Sequence, residues 1–291
     1  MSKSKKGIVA LLTCMLMVSA ITASVFADEN APIDENRPNS VTISERDIVK
    51  SLQAKTDAEL ESMDYSPEEI ASLRKLTDEA VVAKARSQSD AELKDRGLTE
   101  KQIDIIRNEN DVQLAAAESF GSVTYTVDYV TYEYKKPNTT LEVMVTWKWS
   151  SAPLFLFTDI IACTTNKEDF TKVKASGTAD YSFSRGGTIL SSSPLSVKTE
   201  SSGRGTYAKI DLSKTYTGAA RPTKMIAFEG SMFTTFKAPK KIAAVGMSSK
   251  YGHATMTLSP GVSFGADGAS ISFTPVSKVE TGDEAYRRAT L

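Results

Sequence analysis

The residues that come closest to a reactive arrangement are a serine and a histidine near the C-terminus. Gly261 to Gly265 read GVSFG, which matches the Gly-x-Ser-x-Gly pattern of hydrolase nucleophiles. That pattern works on a sharp turn from a strand into a helix, whereas the residues on both sides of Ser263 favour strands. His253 is the single histidine, and it precedes the serine, against the Ser, Asp, His order of that fold. We therefore predict a hairpin strand at Ser263 and no enzyme, with a serine hydrolase as the weakest alternative.

The composition offers few of the side chains that usually bind a metal or a cofactor. The common His-rich zinc sites need at least two histidines, and this chain has one histidine and two cysteines. Cys14 lies in the apolar N-terminal stretch. Cys163 lies in the apolar run DIIACTT, where a free cysteine usually serves as a small buried side chain. We predict no metal site, no cofactor and a buried Cys163.

Aromatic and basic side chains beside turns are better candidates for binding. Two tyrosines lie just before the turn sequence KKPNTT. The lysines there and in APKK and TNKEDFTKVK either contact an anionic surface or belong to an ordinary solvated one. In KYGHATM the histidine is a ligand-contacting or pH-sensitive group or, in the favoured interpretation, a turn residue with a local hydrogen bond. The predicted ligand-binding residues are Tyr132, Tyr134, Lys135, Lys136, Tyr251 and His253.

Alternating apolar residues after Phe120 predict the strands that must position these groups. In TTLEVMVTWKW, Trp147 and Trp149 continue the apolar side of a strand, so we predict that both are buried rather than exposed to a ligand. Similar short runs follow, separated by turn sequences such as SRGG, SSGRG and GADG. The pattern predicts an antiparallel β-sandwich over residues 119–280, followed by a C-terminal tail or short helix at 281–291.

The segment before Phe120 carries the start signals of short helices. Ser or Thr followed three residues later by Glu or Gln forms a capping box, in which each side chain accepts from the other residue's backbone N–H. There are two pairs of boxes, 33 residues apart, within the similar sequences TDAELESMDYSPEEIASLR and SDAELKDRGLTEKQIDIIR. The pattern predicts a helical module over 44–118 built from two copies of one unit. The boxes are Thr56/Glu59, Ser66/Glu69, Ser89/Glu92 and Thr99/Gln102.

The N-terminus predicts export. MSKSKKG is basic, the next stretch is apolar and uncharged, and VFA at residues 25–27 fits a signal-peptidase site. We predict a signal peptide at 1–27, cleaved after Ala27, and an extracellular mature chain. Two alternatives stay open: an uncleaved signal anchor at 8–27, and lipidation at Cys14. The acidic residues 28–43, with two prolines, predict a disordered leader.

Charge divides the chain at the predicted change of structure. Residues 28–118 contain 22 acidic and 12 basic side chains, whereas residues 119–291 contain 14 acidic and 20 basic ones. Two segments of opposite sign indicate two modules that can attract each other. The predicted fold class is α+β: a small N-terminal all-α helical module followed by an all-β antiparallel sandwich.

These features together predict a secreted bacterial binding protein without enzymatic activity. Its basic sandwich would engage an extracellular surface (a cell envelope, a host surface or a membrane), with the helical module as a regulatory or pro-segment. Nucleic acid is not an expected partner, because the acidic repeat offers few phosphate-binding residues. The alternative is a secreted toxin or bacteriocin-like membrane-active protein, which amphipathic runs such as SPGVSFGADGASISF permit.

Overall fold

The computed structural model describes most of the chain between Arg37 and Leu291. The described residues belong to one compact unit and comprise 37–63, 65–199, 203, 205–218, 223–255, 261–264, 271–274, 279–281 and 283–291. The predicted signal peptide, its cleavage site and the predicted leader up to residue 36 lie outside them. Within this described part of the chain, no helix is long and apolar enough to cross a membrane.

The described residues between 45 and 119 form seven short helices. They are α1 (Glu45–Gln53), α2 (Asp57–Ser62), α3 (Pro67–Arg74), α4 (Asp78–Ser87), α5 (Asp90–Asp95), α6 (Glu100–Asn108) and α7 (Val112–Ser119). All four predicted capping boxes are formed, each with both reciprocal hydrogen bonds. Because each box satisfies backbone N–H groups that a helix start leaves unpaired, even helices of six to nine residues begin at defined positions.

The two copies of the repeat are closed by the same arginine clamp. In the first copy the Arg74 guanidinium donates to the Asp57 carboxylate and to the backbone carbonyl oxygens of Gln53 and Lys55. In the second copy Arg107 makes the corresponding contacts, each to the residue 33 positions further along. The planar guanidinium suits this role because it offers several N–H donors in fixed directions.

One strand precedes the helices and the other described strands follow them, and all the described pairings are antiparallel. They are β1 (Ser40–Ser44), β2 (Ser122–Lys135), β3 (Asn138–Trp149), β4 (Thr158–Thr165), β5 (Thr171–Ser182), β6 (Ser191–Pro194), β7 (Lys198–Thr199), β8 (Gly205–Asp211), β9 (Ser213–Tyr216), β10 (Thr223–Ala238), β11 (Ala244–Ala254), β12 (Gly261–Phe264), β13 (Ile271–Thr274), β14 (Val279–Thr281) and β15 (Ala285–Thr290). One sheet has the order β1-β2-β3-β10-β5-β6, with β9 also on β10. A second has the order β14-β11-β4-β8-β7, with β15 also on β11, and β12 and β13 form a hairpin.

The two large sheets share one core, as expected of the predicted β-sandwich. Tyr125 of β2 stacks on Tyr251 of β11, with 6.0 Å between ring centres. Trp147 and Trp149 are each 1% exposed, which confirms the burial predicted from the parity of their strand. Cys163 is a buried free cysteine, also as predicted.

The hairpin of β12 and β13 covers the outer face of β4. Ile160 and Ala162 of β4 pack there against Ile271, with Phe264 beside them. Ser263 lies opposite Ser272 in this hairpin, which confirms the predicted strand at that serine. The side chain of Ser263 lies outside the described part of the structure.

The order of elements differs from the prediction at both ends of the described chain. The helix-first order is wrong, because β1 precedes the helices and pairs with β2 through positions such as Ile43 and Val123. The residues predicted as a tail or short helix contain β15, which pairs with β11. Both strands are short, and their partners are remote in sequence, so the local pattern alone does not separate them from a leader or a tail.

The first copy of the repeat contributes to the core of the sandwich. Leu60 and Leu73 belong to the same buried cluster as the aromatic residues of β2 and β3, together with Leu52 of α1, the helix that precedes this copy. The second copy instead forms a small cluster of its own, made of Ala85, Leu93, Leu98, Ile103 and Ile106. Both copies contact the sandwich, but the first does so through side chains in the shared core, whereas the second does so through the backbone hydrogen bond from Ala152 to the carbonyl oxygen of Arg96.

Candidate functional site

Strand pairing brings seven lysines to one end of the larger sheet, which we call the lysine end. Lys135 and Lys136 lie at the turn between β2 and β3, and β10 ends beside that turn because Ala238 pairs with Thr139. On the other side of β10, the paired strand β5 begins at the same end. The lysine end consists of Lys135, Lys136, Lys172, Lys174, Lys237, Lys240 and Lys241.

Carboxylates neutralise the lysine end only in part. Lys135 pairs with Glu133 at 2.8 Å and Lys240 pairs with Asp169 at 2.8 Å. Both pairs are solvent-exposed, and such pairs contribute about 1 kcal/mol or less. Among the described residues, the other five lysines have no carboxylate within 4.0 Å. A positive surface results, formed by three separate lysine-containing runs of the sequence.

The loop that carries two of these lysines is held in place by the sheet. The Tyr132 hydroxyl donates to the carbonyl oxygen of Ile242 at 2.7 Å. The Thr139 hydroxyl donates to the carbonyl of Lys240 at 2.7 Å and accepts from the N–H of Ile242 at 3.0 Å. Burial raises the pKa of Tyr132 to about 12, so its hydroxyl remains a donor. The backbone of the loop that carries Lys240 and Lys241 is therefore fixed before any ligand binds.

Four of the six predicted binding residues lie at or beside this end. Lys135 and Lys136 are exposed, and Tyr134 is half-buried, with the Lys241 ammonium 5.9 Å from its ring centre. Tyr132 is also half-buried, but its hydroxyl is used in the loop contact. Sequence reasoning noted all three lysine-rich runs without placing them together, because their proximity depends on strand pairing across about 100 residues of sequence.

The other two predicted residues, Tyr251 and His253, are fully buried and are not accessible to a ligand in this structure. Nδ1 of His253 donates to the Asp159 carboxylate at 3.0 Å, and Nε2 donates to Oε1 of Glu45 at 3.2 Å. The Tyr251 hydroxyl donates to Oδ2 of Asp159 at 2.7 Å. Because all four side chains are buried together, we refer to Glu45, Asp159, Tyr251 and His253 as the polar cluster.

The polar cluster holds His253 as an imidazolium. Burial alone would lower the pKa of His253, but Asp159 and Glu45 outweigh burial and raise it to about 10. The carboxylates are satisfied by further donors: the N–H of Ala254 at 3.0 Å for Asp159, and the N–H groups of Leu154 at 2.8 Å and Phe155 at 3.1 Å for Glu45. Buried charges persist when they are paired and hydrogen-bonded in this way.

The polar cluster joins three distant elements. Glu45 is the first residue of α1, Asp159 lies in β4, and Tyr251 and His253 lie on one face of β11. The favoured interpretation of His253 as a turn residue is therefore wrong, because it lies in a strand and its partners are 94 and 208 residues away. No local pattern marks Glu45 or Asp159 as partners of the histidine, since only the tertiary fold brings them to it.

The geometry of the polar cluster does not suit catalysis by His253. Both ring nitrogens donate to carboxylates, so neither is free to take a proton from a serine hydroxyl. The two carboxylates bracket the imidazole rather than converge on a common point. In the described part of the chain, no group of His, Cys, Asp and Glu side chains is arranged to hold a metal ion.

Comparison with known proteins gives only weak similarities. No protein-family model matches the chain, and no curated protein matches it. The C-terminal domain of the AgI/II polypeptide BspA of Streptococcus agalactiae is 11% identical and covers 45% of this chain, at a TM-score of 0.28; the match spans about half of that domain, 52%. The collagen-binding domain of a Staphylococcus aureus adhesin is 5% identical, with 57% of this chain and 97% of that one covered, at a TM-score of 0.30.

A toxin is also among the solved structures with some similarity. The Clostridium perfringens delta-toxin is 8% identical, with 58% of this chain and 83% of the toxin covered, at a TM-score of 0.20. At TM-scores this low, none of these similarities supports a conclusion about fold or function. The function must be argued from the chain's own side chains.

Proposed function

We propose that this chain is an exported, non-enzymatic binding protein whose lysine end engages an anionic extracellular surface. One observation carries the proposal: strand pairing collects seven lysines at one end of the sandwich, and five of them have no carboxylate partner among the described residues. Opposite charge draws such a surface to polyanions and anionic lipids over about a Debye length. The half-buried Tyr134 adds an aromatic face beside the lysines.

The helical segment remains attached in this proposal. Leu52 and Leu60 are fully buried in the core shared with the sandwich, and Glu45 is buried against His253. Removing the helices would expose these side chains and leave the imidazolium with one carboxylate fewer. Loss of a partner from a buried ion pair costs about 3–5 kcal/mol. The segment therefore supports the binding domain rather than acting as a removable pro-segment.

Binding to defined anionic surfaces tests the proposal. The protein should sediment with phosphatidylglycerol-containing vesicles, or bind immobilised dextran sulfate, and should do neither with pure phosphatidylcholine vesicles. The double variant Lys136→Glu/Lys237→Glu should bind at least about 30-fold more weakly, since each lysine near an anionic surface contributes about 1 kcal/mol. Added salt should weaken wild-type binding in the same direction.

A matched control separates the lysine end from overall charge. Lys198→Glu/Lys224→Glu makes the same change of charge at exposed positions of the sandwich outside the lysine end, and should retain wild-type affinity. The proposal is wrong if neither anionic surface is bound, or if both double variants lose affinity equally. Release of a dye trapped in the same vesicles would favour the membrane-active alternative over simple binding.

A further inference from the structure

A cavity of about 460 Å³ lies where the helices meet the sandwich, and we call it the junction pocket. Its walls come from α4, from the residues that directly follow α3, α4 and α5, from the segment between β3 and β4, and from β10. Its size is within the range of about 300–1,000 Å³ that small-molecule sites occupy. The apolar part of the lining includes Leu76, Val81, Pro153, Leu154, Leu156 and Ile226.

The charged residues that line the junction pocket are basic, although the segment to which they belong is acidic overall. Residues 28–118 carry 22 acidic and 12 basic side chains. The charged residues of this segment that line the pocket are nevertheless Lys75, Lys84 and Arg96, and no carboxylate is among the described lining residues. A pocket with an apolar floor and only cationic charges complements a ligand that is apolar at one end and anionic at the other.

Arg96 is the most buried of these cations, and its direct partners are neutral. Its guanidinium donates to Oε1 of Gln88 and to the carbonyl oxygen of Ser119, both at 3.0 Å. Among the described residues, no carboxylate lies in contact with it; Glu45 acts on it from a greater distance, and its charge is shared with His253. Two of the guanidinium's several N–H groups are used in these contacts, so others remain to receive an anion.

The polar cluster fixes one wall of the pocket. The N–H groups of Leu154 and Phe155 donate to the Glu45 carboxylate, and the N–H of Ala152 donates to the carbonyl oxygen of Arg96 at 2.7 Å. The apolar wall is therefore tied to the start of α1 and to the end of α5 before any ligand arrives. A preformed pocket spares a ligand the entropic cost of ordering it.

We infer that the junction pocket binds a small amphiphile with one anionic head group and an aliphatic chain, such as a fatty-acid carboxylate. The head group lies among Lys75, Lys84 and Arg96, and the chain lies on Leu154, Leu156 and Ile226. The junction pocket shares no residue with the lysine end, so its ligand binding can be tested independently of the proposed surface binding.

Calorimetric titration with dodecanoate, below its micelle concentration, tests the inference directly. Dodecyltrimethylammonium has the same chain with a cationic head group and serves as the matched probe. The protein should bind dodecanoate and not the cationic amphiphile. Ala80→Trp, which places a large side chain on the pocket wall, and Lys84→Glu should each weaken dodecanoate binding by about tenfold or more.

Two variants control for changes unrelated to the pocket. Ala83→Trp alters an exposed alanine of the same helix outside the lining, and Lys101→Glu reverses an exposed charge on α6. Both should bind dodecanoate as the wild type does, and thermal unfolding without ligand should show that all four variants are folded. Absence of dodecanoate binding, equal binding of the two amphiphiles, or unchanged affinity in Ala80→Trp would overturn the inference.

Discussion

Glu45 and Asp78 lie 33 residues apart, each 11 residues before the first residue of one copy of the repeat, Thr56 or Ser89, but their environments differ. Each is the first residue of a helix, where the helix dipole favours a negative charge. Asp78 pairs with Arg46 at 2.8 Å and Lys50 at 3.3 Å and is partly exposed. Glu45 is fully buried and pairs with His253 of the sandwich. An acidic residue at the start of a helix therefore forms a partly exposed ion pair at Asp78 and a buried ion pair with the sandwich at Glu45.

A second pair of equivalent positions shows the same difference. Tyr65 and Leu98 both donate their backbone N–H to the carbonyl of the leucine five residues earlier. The Tyr65 hydroxyl then reaches Thr255 of the sandwich at 2.8 Å, whereas Leu98 stays within the small cluster of the second repeat. The repeat therefore defines local structure, while differences at single positions decide which copy places its side chains in the core of the sandwich.

Matched neutral variants of the two acids give the largest expected difference. Glu45→Gln should lower the free energy of unfolding by about 3 kcal/mol, because it breaks a buried ion pair, whereas Asp78→Asn should cost about 1 kcal/mol or less. Urea unfolding monitored by tryptophan fluorescence measures both. Equal costs for the two variants would contradict the distinction between the repeats.

The pH dependence of stability should show the next largest effect. The folded pKa of His253, about 10, exceeds its unfolded value of 6.5, so its stabilisation is complete below pH 6.5 and is lost as pH rises toward 10. Stability should fall by up to about 1.4 kcal/mol per pH unit, or about 2 kcal/mol between pH 7 and 8.5. Because His253 is the single histidine, His253→Gln should flatten the profile in this range. A wild-type profile as flat as that of the variant would count against the imidazolium.

Variants of the two arginine clamps should have the smallest effect on stability, and each should affect a different part of the molecule. Arg107→Lys loses the planar fork and should lower the free energy of local opening by about 1 kcal/mol. Hydrogen exchange should therefore rise in α5, in α6 and at the end of α4, where Arg107 contacts the carbonyl of Arg86, but not in the sandwich. Arg74→Lys should raise exchange in α2 and α3 and also in the strands that share their core, since Leu60 and Leu73 lie in the main cluster. Lys84→Arg, at an exposed position of α4, should change neither pattern. Faster hydrogen exchange in the sandwich of Arg107→Lys would contradict the separation of the second copy's buried cluster from the main core.

Sequence patterns predicted the parts of this fold that depend on neighbours along the chain. The four capping boxes, the repeat, and the burial of Trp147 and Trp149 all follow from spacing within one element. The pairing of β1 and β15, the hydrogen bonds that hold Lys240 and Lys241, and the partners of His253 were beyond such reasoning. Each depends on contacts between residues far apart in sequence, which no local period records.

The candidate binding site was predicted in part for the same reason. Tyr134, Lys135 and Lys136 were identified because they flank a turn, a local feature. Lys237 and the start of β5 join them only through the register of β10. A histidine inside a strand that is buried on both faces, rather than beside a glycine turn, would have been the better interpretation of KYGHATM and would have indicated a buried partner of opposite charge.

The protonation state of His253 is central to this fold, because as a buried imidazolium it joins α1 to the sandwich through Glu45. Nitrogen NMR of the single histidine in isotopically labelled protein tests it directly, because no other imidazole contributes a signal. At pH 8 both ring nitrogens should be protonated, and in Glu45→Gln the midpoint of titration should fall. A neutral imidazole at pH 8 in the folded wild type, titrating near its ordinary pKa of about 6.5, would contradict the claim.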